Sequence, residues 1–172
     1  MSAPKLQEKL VDYIQDAFAM EQNVSQMLDS MISTTSDAET VARLREHKQE
    51  TARHAQRMRE RLSAYGRSTS ITGELAAVVS AVVQGVTGEL RSDKPAKNAR
   101  DGYIAEQTEI AAYELLGRLA YRAGDTETAR MAHLNLVDDQ EMARWIAARW
   151  EKFVDLTLTE AGLPLREPAG VA

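Results

Sequence analysis

Apolar residues recur every three or four positions along four long segments of this chain, which is the pattern of amphipathic helices. The first helix is predicted from about Pro4 to about Ile32, because proline suits a first helical turn. A second helix is predicted from Ser36 to about Tyr65, where Gly66 ends it. Ser36 and Glu39 have the spacing of a capping box at its start. The buried faces are predicted to contain Leu10, Ile14, Ala17, Val24, Leu28 and Met31 in the first helix, and Leu44, Thr51, Ala55, Met58 and Leu62 in the second.

The segment that follows the second helix differs in its pattern. Leu75 to Val86 is rich in Ala and Val, which predicts a short helix, capped by Thr72 and apolar on nearly every side. We expect this helix to be covered by the bundle or by another subunit, since water would otherwise meet a continuous apolar surface. Polar loops flank it on both sides, and Pro95 is placed to begin the next helix.

A third helix is predicted from Pro95 to about Arg122, and a fourth from Asp125 to about Ala161. The turn at Gly124 is so short that these two helices must be antiparallel neighbours, as must the first two. The long connection between the pairs matches the single crossover of ferritin-like bundles. The expected fold is therefore all-α, a ferritin-like four-helix bundle with a short crossover helix between helices two and three. One domain is expected to span residues 1–172.

The composition limits which metal ligands and crosslinks are possible and in which compartment we expect the protein. The chain has 172 residues and no cysteine, which excludes disulfides and thiolate metal ligands and fits a reducing compartment, so we expect a cytoplasmic protein. No signal peptide and no run of apolar residues long enough for a membrane span is recognisable. The net charge is −5 with basic residues spread among acids, and we expect no nucleic-acid partner.

Several acidic residues fall within the apolar faces. Glu21 lies between Ala17 and Val24, and Asp139 lies between Leu136 and Ala143. Glu106 and Glu109 share a face of the third helix. The second helix contributes less clearly, because its Glu and His residues fall at the margin of the face. These marginal residues are Glu50, His54 and His47.

A shared explanation is needed because an ionised carboxylate buried without a partner costs several kcal/mol. A divalent cation supplies one, since carboxylates and imidazoles converging between helices build the di-iron and di-manganese sites of bundles. The alternative is a structural polar cluster, in which two acids share a proton or Lys48 pairs with one of them. His47 and His133 are expected to be surface or packing residues. Tyr103, Tyr113, Trp145 and Trp150 are expected in the core or at an interface.

Four stretches resemble the YciE/YciF family of ferritin-like bacterial stress proteins. They are AspAlaPheAlaMetGluGln at 16–22, GluHisLysGlnGluThr at 46–51, GluGlnThrGluIleAlaAlaTyr at 106–113 and ValAspAspGln at 137–140. The resemblance implies a ferritin-like fold and a metal site that includes Glu21, Glu50, Glu106, Glu109 and Asp139. The Glu-x-x-His spacing of ferritin-type sites is not reproduced, because Arg53 stands three residues after Glu50 and Met142 three after Asp139.

Two functions of different classes follow. The first is a metal-binding oxidoreductase with iron or manganese, in which a di-metal centre reacts with O₂ or peroxide. Its ligands would be Glu21, Glu50, His54, Glu106, Glu109 and Asp139. The second is a non-catalytic stress-linked bundle that acts as a homodimer through the crossover helix. The sequence identifies no substrate.

Overall fold

The computed structural model describes residues 3–69 and 93–165, and the described residues form five helices and no strand. Helices α1 and α2 span Ala3–Thr34 and Ala38–Ala64, and α3 and α4 span Lys94–Ala123 and Thr126–Ala147. A shorter α5 spans Trp150–Glu160. The predicted all-α, ferritin-like bundle is confirmed.

Contacts along the helices fix their directions. In α1 and α2, Glu21 contacts His54 while Asp29, further along α1, contacts Lys48, so the two helices are antiparallel. A Cβ atom added to Gly117 of α3 would lie 3.7 Å from Ala132 Cβ of α4. Gly102, near the start of α3, instead faces Ile146 near the end of α4, so this pair is antiparallel too.

The two helix pairs are joined in a way that requires a crossover. Tyr113 of α3 contacts Glu21 of α1, and Gly102 of α3 lies beside Met31 of α1, so α1 and α3 are also antiparallel. Helices α2 and α3 therefore run parallel, and α3 begins at the end of the bundle opposite to the end where α2 stops. The predicted crossover topology follows from these directions. The crossover helix predicted over Leu75 to Val86, and its predicted burial, lie outside the described residues.

The start of α2 differs from the sequence expectation. Asp37, rather than Ser36, caps the helix, and its Oδ2 accepts hydrogen bonds from Thr40 N–H at 2.9 Å and from the Thr40 hydroxyl. Ser36 instead donates to Glu160 in α5, and Glu39 pairs with Lys152. The capping-box prediction was wrong because Asp37, one residue later, caps the helix equally well, and Ser36 and Glu39 instead bond to residues of α5.

The fourth predicted helix is divided in two. The Arg149 N–H bonds to Ile146 O at 2.9 Å in a tightened turn, and Arg149 has φ −129°, outside the helical range. The prediction of one helix to Ala161 was therefore wrong. The sequence gives no sign of the break, because Ala147, Ala148 and Arg149 include no glycine or proline. The break turns α5 over the end of the bundle, where Phe153 is buried and Ala96 N–H donates to Thr157 at 3.0 Å.

Asp125 connects α4 to α2 at the end of the bundle opposite to α5. It caps α4 by accepting from Thr128 N–H at 3.0 Å, and it pairs with Arg61 of α2 at 2.9 Å. It also accepts from the hydroxyl of Tyr65. Burial raises the pKa of Asp125, but the hydrogen bonds from Thr128, Tyr65 and Arg61 outweigh it and lower the pKa to about 2.

The Asp125→Ala variant should unfold more easily than the wild type by about 2–3 kcal/mol, because a helix cap and a charge-assisted hydrogen bond are lost together. The folded-state pKa is below the usual value, so this contribution is present above pH 3.8 and lost as pH falls towards 2. Urea unfolding at pH 7 measures the difference. Glu127→Ala removes an exposed acid from the same helical turn and should change stability by less than about 0.5 kcal/mol. Equal effects of the two substitutions would contradict this account of Asp125.

Candidate metal centre

All four long helices place titratable side chains in the same interior layer. The structure buries all six residues predicted as ligands, and each is at most 8% exposed. Glu21 comes from α1, and Asp139 comes from α4. The others lie on α2 and α3, and are Glu50, His54, Glu106 and Glu109.

Four of the interior side chains form the tightest group. His47, Glu106, Glu109 and Asp139 each offer one ligand atom, and these four atoms lie within 4.8 Å of one another. We call this group the His47 cluster. It draws one imidazole from α2, two carboxylates from α3 and one carboxylate from α4, so it depends on correct docking of the two helix pairs.

His47 was expected at the surface or in packing, but it is fully buried within this cluster. Its Nδ1 lies 2.8 Å from Glu50 Oε2. Its Nε2 lies 3.0 Å from Glu106 Oε1 without the alignment of a hydrogen bond. A signal for His47 was present in the sequence: the apolar face of the second helix skips from Leu44 to Thr51, and position 47 fills that gap. His133 is exposed, as expected.

A second group surrounds His54, which is also fully buried rather than at the margin. His54 Nδ1 lies 3.2 Å from Glu21 Oε1 and 3.6 Å from Asp139 Oδ1, and Nε2 lies 3.0 Å from Asp138 Oδ2. The Tyr113 hydroxyl donates to Glu21 Oε1. Asp139 therefore stands between the His47 cluster and the His54 group.

Unpartnered oxygens test whether these residues suit a cation. Buried carboxylate oxygens of Glu21, Glu106 and Glu109 lack a hydrogen-bond partner within the described residues. Both oxygens of Asp139 also lack one. Buried polar atoms are nearly always hydrogen-bonded, and such a concentration of unpartnered acid oxygens is the pattern expected where a cation, or a proton shared between two acids, satisfies them. The donor set, carboxylate oxygen and imidazole nitrogen, fits iron or manganese.

The acid–base behaviour of the layer divides its acids into two kinds. Burial, reinforced by neighbouring carboxylates, raises the pKa of Glu109 and of Asp139 well above the usual values. Glu50 differs, because hydrogen bonds and charges from His47 and Arg43 outweigh its burial and lower its pKa to about 2. Burial alone would lower the pKa of His47, but the charge and close contact of Glu106, the hydrogen bond to Glu50 and the charge of Asp139 raise it to about 10.

The alternative partner considered from the sequence does not reach the layer. Lys48 pairs with Asp29 on the surface, and Arg43 Nη1 contacts Glu50 Oε2 at 3.3 Å. Arg43 neutralises the acid that already has His47 as a partner. Neither Lys48 nor Arg43 pairs with the more deeply placed Glu109 or Asp139.

Comparison with known proteins identifies relatives of the chain. The profile of a family described as "Domain of unknown function (DUF892)" matches residues 5–159. A structure of a protein from Xanthomonas campestris is 27% identical, with a TM-score of 0.77 over 92% of this chain and 99% of that one.

Two further structures are related at the level of fold. The Escherichia coli stress protein YciF is 15% identical, with a TM-score of 0.75 over 87% of this chain and 97% of that one. A dodecameric thioferritin, the bacterioferritin-related protein of Bacteroides fragilis, is 14% identical, with a TM-score of 0.71 over 95% of this chain and 98% of that one.

Proposed function

The chain belongs to the DUF892 family, and on that basis we propose that it is a ferritin-like, metal-binding stress protein whose interior layer holds iron or manganese. The family match, with the fold shared with the stress protein YciF, confirms the resemblance to the YciE/YciF family. The observation that supports metal binding best is the set of buried, unpartnered carboxylate oxygens beside His47.

We assign the ligands to two adjoining positions. His47, Glu106 and Glu109 would hold one ion, and Glu21 with His54 would hold a second. Asp139 lies between them and would contact both. A bound iron or manganese centre would supply one-electron chemistry with O₂ or peroxide, which is the oxidoreductase or protective activity we propose.

The protein's own residues have distinct tasks around such a centre. Glu50 accepts a hydrogen bond on the Nδ1 side of His47 and so orients the ring, leaving Nε2 toward Glu106. Tyr113 donates to Glu21 and fixes the position of that carboxylate. Burial of the whole layer restricts water and strengthens each electrostatic interaction within it.

The proposal also includes a cytoplasmic location and a homodimer. Among the described residues no helix is both long and apolar enough to cross a bilayer. Exposed apolar side chains on one helix support self-association, since they offer a surface that a second copy could cover. Ile104 and Leu115 of α3 are both exposed and line the same surface pocket.

A non-catalytic bundle is the second candidate, and one observation favours it. Arg43, Glu50, His47 and Glu106 form a continuous chain of charged contacts, which neutralises part of the layer without a metal. In that case the layer would specify how the two helix pairs dock and would have no chemistry of its own.

Metal stoichiometry separates the two candidates. Protein purified without chelator and loaded anaerobically with Fe(II) or Mn(II) should retain about one to two ions per chain after desalting, the number expected for a carboxylate bundle site. His47→Ala should lose most of this metal, while His133→Ala, which alters an exposed histidine, should retain it. Wild-type protein that retains neither metal would overturn the proposal and favour the non-catalytic bundle.

A further inference from the structure

A narrow cavity lies between the interior layer of titratable residues and the end of the bundle that α5 covers. Its volume is about 30 Å³, counted as space open to the centre of a water-sized molecule, which is room for about two such molecules. Glu106 lines its inner end, and Ser36 and Asp37 of the α1–α2 loop line its outer end. The wall between them is mainly apolar, and includes Leu28, Met31, Ala99, Met142, Ile146 and Phe153.

The helices align this cavity with the proposed metal site. Along α4 the lining residue Met142 is three positions from Asp139, and along α2 the lining residue Leu44 is three positions from His47. Three residues are about one helical turn, or roughly 5 Å. The cavity therefore meets the His47 cluster at Glu106, continues past residues one turn away from it, and leads towards the loop, where Ser36 is exposed.

Small residues on α3 keep the cavity open. Ala99 and Gly102 stand one turn apart on the face that lines it. A Cβ atom at Gly102 would lie 3.5 Å from Ile146 Cδ1 and 3.7 Å from Met31 Cε, which is ordinary contact. A methyl group fits there without a clash, and it would occupy space that the cavity now has.

We propose that this cavity binds O₂ and leads it to the interior layer, so that the gas rather than peroxide is the oxidant admitted by this route. The destination rests on the proposed function. The choice of occupant rests on the apolar wall, because peroxide or water would have to give up hydrogen bonds to cross it, whereas O₂ has none to lose. Glu106, whose Oε2 has no hydrogen-bond partner within the described residues, lines the inner end of the cavity, beside the site where the gas would be used.

The metal-free protein provides a direct test. With ¹³C-labelled methionine methyl groups, dissolved O₂ enhances the relaxation of each methyl it approaches. Met31 and Met142 line the cavity, whereas Met27 and Met58 are equally buried but do not line it. Under O₂ pressure, with argon as the blank, we expect several-fold larger enhancement at Met31 and Met142. Equal enhancement at all four methyl groups would overturn the proposal.

A matched pair of variants adds a second readout. Gly102→Ala puts a methyl group into the cavity and should reduce the enhancement at Met31 by about half or more, since the cavity holds only about two small molecules. Gly117→Ala makes the same change elsewhere on α3, with Ala132 Cβ at 3.7 Å, and should leave the enhancement unchanged. Indistinguishable variants would count against the cavity as the binding place.

These measurements use no metal, so they fail independently of the proposed function. If the protein binds no iron or manganese but shows selective enhancement at Met31, the O₂ cavity is supported and the metal site is refuted. If the protein binds metal but shows uniform enhancement, the metal site is supported and the O₂ cavity is refuted.

Discussion

The Glu109→Gln variant should lose at least about 100-fold in iron or manganese affinity, while its metal-free form stays as stable as the wild type. One buried oxygen of Glu109 has no hydrogen-bond partner, and burial holds its pKa well above the usual value. A neutral amide therefore resembles the protonated acid of the metal-free protein, so little is lost on folding. The metal-bound protein needs the charge, and an amide cannot supply it.

A paired acid in the same layer makes the matched control. Glu50→Gln removes a carboxylate that accepts from His47 at 2.8 Å and contacts Arg43 at 3.3 Å. We expect this variant to destabilise the metal-free protein by about 1–3 kcal/mol, because a buried charged partner is left uncompensated. Metal titration and urea unfolding in chelator measure both quantities. Strong destabilisation of metal-free Glu109→Gln would contradict metal binding and favour a structural network.

Removing the metal should reverse the pH dependence of stability. In the chelated protein the pKa of His47 is raised from 6.5 to about 10, so its stabilisation is complete below pH 6.5 and disappears as pH rises towards 10. Glu109 and Asp139, with raised pKa values, act in the same direction, because their ionisation in the folded state becomes costly as pH rises. Stability should fall by about 1.4 kcal/mol per pH unit for each proton involved.

The metal-loaded protein should behave oppositely, because ions replace these protons and compete with them better at higher pH. We expect its stability to rise between pH 5 and pH 8, the range in which imidazole and raised carboxyl groups lose protons. Thermal unfolding with metal and with chelator across this range gives the comparison. Parallel profiles for the two forms would contradict a metal site in this layer.

Periodicity in the sequence predicted the fold because each long helix has a continuous apolar face. The end of α4 was not predictable in this way, since Ala147, Ala148 and Arg149 are all compatible with a helix. The break coincides with tertiary contacts, because Arg149 and Lys152 both pair with Glu39 of α2. Such contacts connect residues far apart in the chain, so local propensity does not contain them.

The candidate site was predicted where an acid interrupted an apolar face, as at Glu21 and Asp139. His47 was not predicted as part of the site, because histidine is compatible with either a buried or an exposed position. Its environment depends on Glu106 from another helix. The ferritin-type Glu-x-x-His order is absent from α2, where Arg53 stands three residues after Glu50. This helix has the reverse order, His47 three residues before Glu50.

The four long helices form two antiparallel hairpins, α1–α2 and α3–α4. The chain between α2 and α3 is the covalent connection between the hairpins. Each hairpin carries half of the interior layer: the first holds both buried histidines, and the second holds Glu106, Glu109 and Asp139. Bringing the second hairpin's acids out of water is unfavourable until the first supplies positive charge. A bound ion would then connect the two hairpins and stabilise their docking in the folded protein.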